Sequence, residues 1–199
     1  MKTGIDLPNE GSGLTGFNQA AVNVVDQSFG QYDLYTTLQL SQYINTIANG
    51  GTRYAPQLVS EIRSTDAIGS LGALETTLET KVMNQVDVDT EAMERVQQGF
   101  YQVTHSTNGT AYSTFGKDSN NVAAKTGTAE AFYDGNNENL KGESVFNSTF
   151  VGYAPFDNPE ITVTVVVPYL STETGRATPI AKKVFDAYFN TGDYKTAAE

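Results

Sequence analysis

The chain contains no cysteine, so it has neither a disulfide framework nor a thiol nucleophile, and its cysteine usage does not separate cytosol from cell surface. It has one histidine, His105. A single imidazole cannot build a multi-histidine metal site, and with no serine-histidine-acid pattern around it His105 reads as loop or helix-end structure. Basic residues are few: 12 Lys and Arg stand against 23 Asp and Glu, a formal charge of -11. Phosphate binding depends on basic patches, so this balance excludes nucleic acid as a partner. No apolar run reaches about 18 residues and no signal peptide opens the chain, so the segment itself is expected neither to be targeted by a leader nor to span a membrane.

What is present suffices for a core. With 199 residues, 39% hydrophobic content and 18% charged residues, one globular domain is expected, without repeats or coiled coil. Residues 1 to 35 read as irregular. Thr36-Thr37 offers a helix cap ahead of Leu40, Tyr43, Ile44 and Ile47, which form one apolar face, and Asn49-Gly50-Gly51 ends that helix. Thr52 to Ile62 reads as a strand or hairpin interrupted by Pro56. A second helix is expected over Asp89 to Val103, capped by Asp89, with Met93, Val96, Phe100 and Val103 inward. From Lys125 the pattern is strand, polar loop (Tyr133 to Gly142), strand (Phe146 to Ala154), turn, strand (Ile161 to Val167) and helix. Thr178 is its expected cap, Pro179 lies in its first turn, and Ala181, Val184, Phe185 and Tyr188 form its buried stripe. Hairpin connections imply antiparallel pairing.

The most informative stretch is Lys125-Thr126-Gly127-Thr128. Side chains alternate along an extended chain, so Thr126 and Thr128 share a side, while Gly127 leaves the backbone bare for close approach. Such an edge suits a substrate that carries a carboxylate. K-T-G is one of three signatures of penicillin-binding proteins and serine β-lactamases, but by itself it is weak: a second copy at Lys2-Thr3-Gly4 leads into turn residues and reads as coincidence. The companion S-x-x-K is absent, since no serine is followed three residues later by lysine. Ser106-Thr107-Asn108 and Ser119-Asn120-Asn121 match S-x-N literally, yet they lie in a connection where turn chemistry accounts for them. Asp134, Asn136 and Glu138 imitate a calcium loop, but Asn139 stands where glycine is needed and Val145 where glutamate is needed. Asp87, Asp89, Glu91 and Glu94 read as capping and solvation.

Several blocks in order carry more weight than one motif. Gly4-Ile5-Asp6-Leu7-Pro8-Asn9-Glu10, Phe29-Gly30-Gln31, Leu38-Gln39-Leu40, Ala48-Asn49-Gly50-Gly51, Ala123 to Ala129, Tyr153-Ala154-Pro155 and Asp157-Asn158-Pro159 resemble class B penicillin-binding proteins, and most of all the monofunctional transpeptidases of Gram-positive bacteria among them. Thr37, Tyr32 and Ala124 depart from the family's usual residues, and none of the three is a group that does chemistry.

The resemblance implies an α+β fold, an antiparallel sheet with covering helices, with residues 1 to 199 as the C-terminal part of a transpeptidase domain whose S-x-x-K-bearing part lies elsewhere. It implies Lys125 as the catalytic cation and Thr126, Gly127 and Thr128 as substrate-binding residues, the Thr128 N–H doubling as an oxyanion donor. No metal or cofactor is implied. The implied partners are peptidoglycan stem peptides and β-lactams, reached through the parent domain, and the upstream half of that domain. The parent would be anchored at the extracytoplasmic face of the bacterial membrane. Without nucleophile and base the chain is expected to be inactive alone, and its sheet edge near Ile161 to Val167 to lack a partner, which favours self-association. A noncatalytic extracellular binding or scaffolding module of the same fold is the alternative, and the ordered blocks disfavour a β-lactam sensor.

Overall fold

The computed structural model describes residues 1–15, 25, 30, 33–65, 70–117 and 120–190. Phe29, Gln31, Tyr32 and Ser119, cited above, lie outside these residues. Helix α1 (Thr37–Ala48) begins where the sequence implies. The Thr36 hydroxyl accepts from the Gln39 N–H (3.2 Å), and the Gln39 side chain accepts from the Thr36 N–H (2.8 Å). This reciprocal box satisfies two N–H groups that the helix leaves unpaired.

The buried face of α1 differs from the expected one. Ile44 and Ala48 are buried, with Leu40 and Ile47 beside them, but Tyr43 is 49% exposed. Gln42 takes the inward place instead. Its Nε2 donates to the carbonyls of Thr3 (2.8 Å) and Tyr54 (2.7 Å), and its Oε1 accepts from Arg53 Nε (2.9 Å). A buried amide with all its partners is tolerated as an unpaired one is not, and hydropathy cannot anticipate it. The network also straps residues 1–10 over the helix, where the Thr3 N–H donates to Glu10 Oε1 (2.6 Å).

After Gly50 and Gly51, both at positive φ, the chain makes a two-stranded arm rather than a strand or hairpin confined to residues 52–62. Strand β1 (Thr52–Tyr54) pairs with β4 (Val82–Gln85), and β2 (Glu61–Arg63) with β3 (Leu74–Thr77), all antiparallel. The partners of the first half therefore come from residues 74–85, a separation that local pattern cannot reveal.

Helix α2 (Thr90–His105) is capped by Asp89, whose carboxylate accepts from the Ala92 N–H at 2.7 Å. It buries Met93, Phe100 and Thr104, whereas Val96 is 42% exposed, so the inward stripe is narrower than the apolar spacing suggested. The short helix α3 (Tyr112–Phe115) follows.

Strands β5 (Ala123–Phe132), β6 (Ser144–Ala154) and β7 (Ile161–Leu170) form an antiparallel sheet in the order β5-β6-β7. Alternation divides its side chains between two cores. Ala124, Phe150, Ala154 and Val163 meet Phe115 of α3 and Ala177, Ala181 and Phe185 of the last helix, α4 (Ala177–Asn190). Ala123, Val151 and Tyr153 meet Ile44 of α1 and Phe100 of α2 on the opposite face. Neighbours in sequence thus serve different layers, and small alanines let both layers close over the start of β5.

Two details of α4 correct the sequence reading. Thr178 lies buried inside its first turn rather than at its cap. The capping acceptor comes from the sheet instead: the buried Ser148 Oγ accepts from the Ala177 N–H at 3.1 Å. Val184, expected inward, is 41% exposed, while Phe189 packs against the core.

Replacing Phe150 by alanine is expected to cost about 3–5 kcal/mol, the usual penalty for emptying a buried phenylalanine site. Val184→Ala should stay within about 0.5 kcal/mol. Urea denaturation of both variants checks this contrast, which a comparable loss from Val184→Ala would refute.

Candidate active-site strand

The four residues singled out in the sequence lie inside β5, beginning two residues after its start at Ala123. Pairing of β5 with β6 runs from Ala123 opposite Tyr153 to Phe132 opposite Ser144 with no register shift. Unbroken pairing preserves side-chain alternation, so Ala124, Thr126 and Thr128 share the α3/α4 face, and Ala123, Lys125 and Gly127 the other. Thr126 and Thr128 lie directly across the strand pair from Phe150 and Ser148 respectively.

Among the described residues, β5 pairs with β6 alone. Which backbone groups stay open follows from two bonds at its ends. The Tyr133 N–H donates to the Glu143 carbonyl (2.9 Å), and the Asn121 carbonyl accepts from the Phe156 N–H (2.8 Å). In an antiparallel pair the N–H and C=O of one residue point to the same side. The odd-numbered residues of this run therefore face β6, and Ala124, Thr126, Thr128 and Glu130 turn their N–H and C=O to the open edge. Lys125 agrees with this assignment: its exposed Nζ donates to the Thr126 carbonyl at 2.5 Å. The edge thus gathers two hydroxyls, two backbone N–H groups and one ammonium within four residues.

Gly127 answers to a constraint the sequence did not show. A β-carbon there would meet Thr149 Oγ1, directly across the pair, at 2.3 Å. Thr126 also has a neighbour absent from the sequence reading: Thr110 Oγ1, in the turn between α2 and α3, lies 2.7 Å from Thr126 Oγ1. Both contacts are tertiary, and nothing local in the sequence signals them.

The other candidates fall to structural roles. Thr3 of the first K-T-G is buried beneath α1 and outside any strand. Ser106 ends α2, and its hydroxyl accepts from the Asn108 N–H (3.4 Å), which is turn chemistry. His105 is the last residue of α2, its ring stacked 3.8 Å from that of Tyr101. Asp134 accepts from the Tyr169 hydroxyl (2.5 Å) and Glu138 pairs with Lys141 (3.4 Å). Among the described residues no three His, Cys, Asp or Glu gather as a metal site. Burial pushes the Tyr153 hydroxyl up to about 12, which leaves it neutral and unsuited to act as a base.

Comparison with known proteins supplies the context for this edge. The family described as penicillin binding protein transpeptidase domain matches residues 1–186. Penicillin-binding protein 2A of Bacillus subtilis is 44% identical over 193 residues, covering 95% of this chain and 27% of that protein. Penicillin-binding protein 2B of Streptococcus pneumoniae is 39% identical over 192 residues, covering 94% and 27%. The structure of penicillin-binding protein 2B from Streptococcus pneumoniae strain R6 superimposes with a TM-score of 0.80 at 38% identity, over 96% of this chain and 30% of that one. The chain spans about a quarter of the length of these curated relatives.

If Thr149 is what keeps residue 127 bare, Gly127→Ala should destabilise the domain by about 1–3 kcal/mol, in the range of overpacking. Adding Thr149→Ala should recover most of that loss. Denaturation midpoints of the single and double variants decide the matter: an unrecovered double variant means that another contact excludes the side chain.

Proposed function

The chain belongs to the penicillin-binding protein transpeptidase family, of the class B kind, and we propose that β5 is its carboxylate-recognition wall. On this reading the chain is the C-terminal part of a transpeptidase domain, and another segment contributes the serine and its base. The carrying observation is the juxtaposition at the open edge: the Thr126 and Thr128 hydroxyls on one face, their N–H groups outward, and the Lys125 ammonium alongside.

The proposed reaction is acyl transfer. A serine attacks the penultimate D-Ala carbonyl of a peptidoglycan stem peptide, D-Ala leaves, and the acyl group passes to an amine; a β-lactam mimics the donor. Lys125 draws the donor carboxylate to the cleft in a chain whose other charges are mostly negative, and it supports proton movement. Hydroxyl bonds from Thr126 and Thr128 to that carboxylate are charge-assisted, each on the order of 1.5–3 kcal/mol. The Thr128 N–H serves the oxyanion; loss of one such donor typically costs about 2.7–4 kcal/mol of transition-state stabilisation. Covalent catalysis requires an activated nucleophile within hydrogen-bond reach of its base. No S-x-x-K occurs in the chain, so the chain alone recognises the donor without reacting.

That same absence favours one second reading, a noncatalytic extracellular binding or scaffolding module of this fold. Among the described residues no helix is long and apolar enough to cross a membrane. We place the parent protein at the extracytoplasmic face of the bacterial membrane, anchored through an upstream segment, with peptidoglycan and β-lactams as its ligands. The β7 edge, paired only with β6 among the described residues, would receive strands from the upstream half of the domain; without them it favours self-association.

Fluorescent penicillin tests the reading. The purified chain is expected to give no adduct that survives denaturation, whereas co-expression with an S-x-x-K-bearing upstream half restores labelling. In that reconstituted domain, Lys125→Ala should slow labelling by at least about tenfold, equivalent to roughly 1.4 kcal/mol. A stable adduct on the isolated chain would overturn the claim that the nucleophile comes from outside, and autonomous peptidoglycan binding without restored labelling would favour the binding module.

A further inference from the structure

A hydroxyl has one proton and two acceptor sites. For Thr126 to make a charge-assisted bond to an anion it must commit that proton outward, which leaves its oxygen free to accept from elsewhere. Thr110 Oγ1 lies 2.7 Å from Thr126 Oγ1, across a sequence separation of 16 residues. We propose that Thr110 is a positioning residue for Thr126: it holds the Thr126 hydroxyl in one rotamer and donates to it, so that the Thr126 proton is free for the ligand carboxylate. The inference rests on the carboxylate-wall reading of β5 and adds a residue from the helical layer to it.

The turn that presents Thr110 is built to be rigid. The Gly109 N–H donates to the Ser106 carbonyl (2.8 Å), the Ala111 N–H to the Val103 carbonyl (3.1 Å) and the Tyr112 N–H to the Gly109 carbonyl (3.0 Å). A β-carbon at Gly109 would fall 2.2 Å from the Val103 carbonyl oxygen, so only glycine lets the turn close on the end of α2. On the other side of Thr110, Ala111 is fully buried against Phe115 and Ala124. A short exposed side chain between two such anchors has little freedom of its own.

Docking of α2 on β5 does not need the Thr110 bond. The fully buried Thr104 donates from Oγ1 to the Val122 carbonyl at 2.6 Å and fixes the helix end to the start of the strand. Thr110 is exposed and makes its contact beyond that point, at the first residue of the proposed wall. The β-branch of Thr126 already limits χ1, so one hydrogen bond is enough to select a rotamer. A bond received by the Thr126 oxygen also polarises its O–H toward the ligand.

The test uses the chain co-expressed with its upstream half, labelled by fluorescent penicillin, in four variants. Thr110→Val, which keeps the shape and removes the hydroxyl, is expected to slow labelling about five- to tenfold, the worth of one net hydrogen bond. Thr110→Ser should stay within about twofold of the parent, and Thr126→Val should be slowed at least about tenfold. Because Thr110 acts through Thr126, the double variant Thr110→Val/Thr126→Val should be no slower than Thr126→Val alone, a coupling that a purely structural role would not give. Thr110→Val at the parental rate beside a slowed Thr126→Val overturns this proposal and spares the carboxylate wall. Parental rates in both overturn the wall and the proposal together. The isolated chain gives a readout independent of labelling: the Hα–Hβ coupling of Thr126 should report one χ1 rotamer, averaged in Thr110→Val, and an unchanged coupling counts against the proposal.

Discussion

The register between β5 and β6 is the constraint on which the rest of the structure depends. Ten consecutive residues of β5 find partners on β6 without a bulge. Because the side-chain period of a strand is two, a slip of one residue would exchange the two faces. Ala124 would leave the phenylalanine core of α3 and α4, Ala123 would leave the core of α1 and α2, and Thr126 and Thr128 would trade places with Lys125 and Gly127. The apolar layers on both faces therefore fix, through packing alone, which groups reach the open edge. Chemistry at residues 125–128 is set by burial at residues 123, 124, 150, 151 and 153.

The same constraint explains the glycine. Read alone, Gly127 looks like a gap left for a ligand; in the sheet it also makes room for Thr149 Oγ1. Sheet packing favours a bare residue at this position because a β-carbon would displace the Thr149 hydroxyl, and the proposed ligand access would ask for the same residue. Thr126 is half-buried, with Thr110 Oγ1 2.7 Å from its own hydroxyl oxygen, and Thr128 is exposed; on the proposed reading both hydroxyls face the anion.

Much of the architecture was legible where the signal is local. The Thr36 and Asp89 caps, the glycine stop at residues 50 and 51, the strand at Ile161 and the antiparallel hairpins all follow from neighbours a few residues apart. The placement of Lys125 to Thr128 on a strand, with both threonines on one face, was legible for the same reason. What escaped was tertiary. Tyr43, Val96 and Val184 fit an apolar period but face solvent, because each helix meets only one strip of the sheet and a buried amide or hydroxyl can occupy the inward place. Helix α4 takes its capping acceptor from Ser148 on another element, which the residues around Thr178 do not signal. The nested arm, Thr149 and Thr110 likewise depend on partners that only folding brings near.

The central claim, that the β5 edge grips the carboxylate of an acyl donor while the attacking oxygen comes from another segment, is tested most directly by a crystal structure of the reconstituted domain acylated by a penicillin. The account predicts the ligand carboxylate within about 3 Å of the Thr126 and Thr128 hydroxyl oxygens, ordinary hydrogen-bond distance, with the acyl oxygen at the Thr128 N–H and the covalent bond on a residue outside this chain. A ligand carboxylate held elsewhere, or a β5 edge closed by another strand, would contradict it.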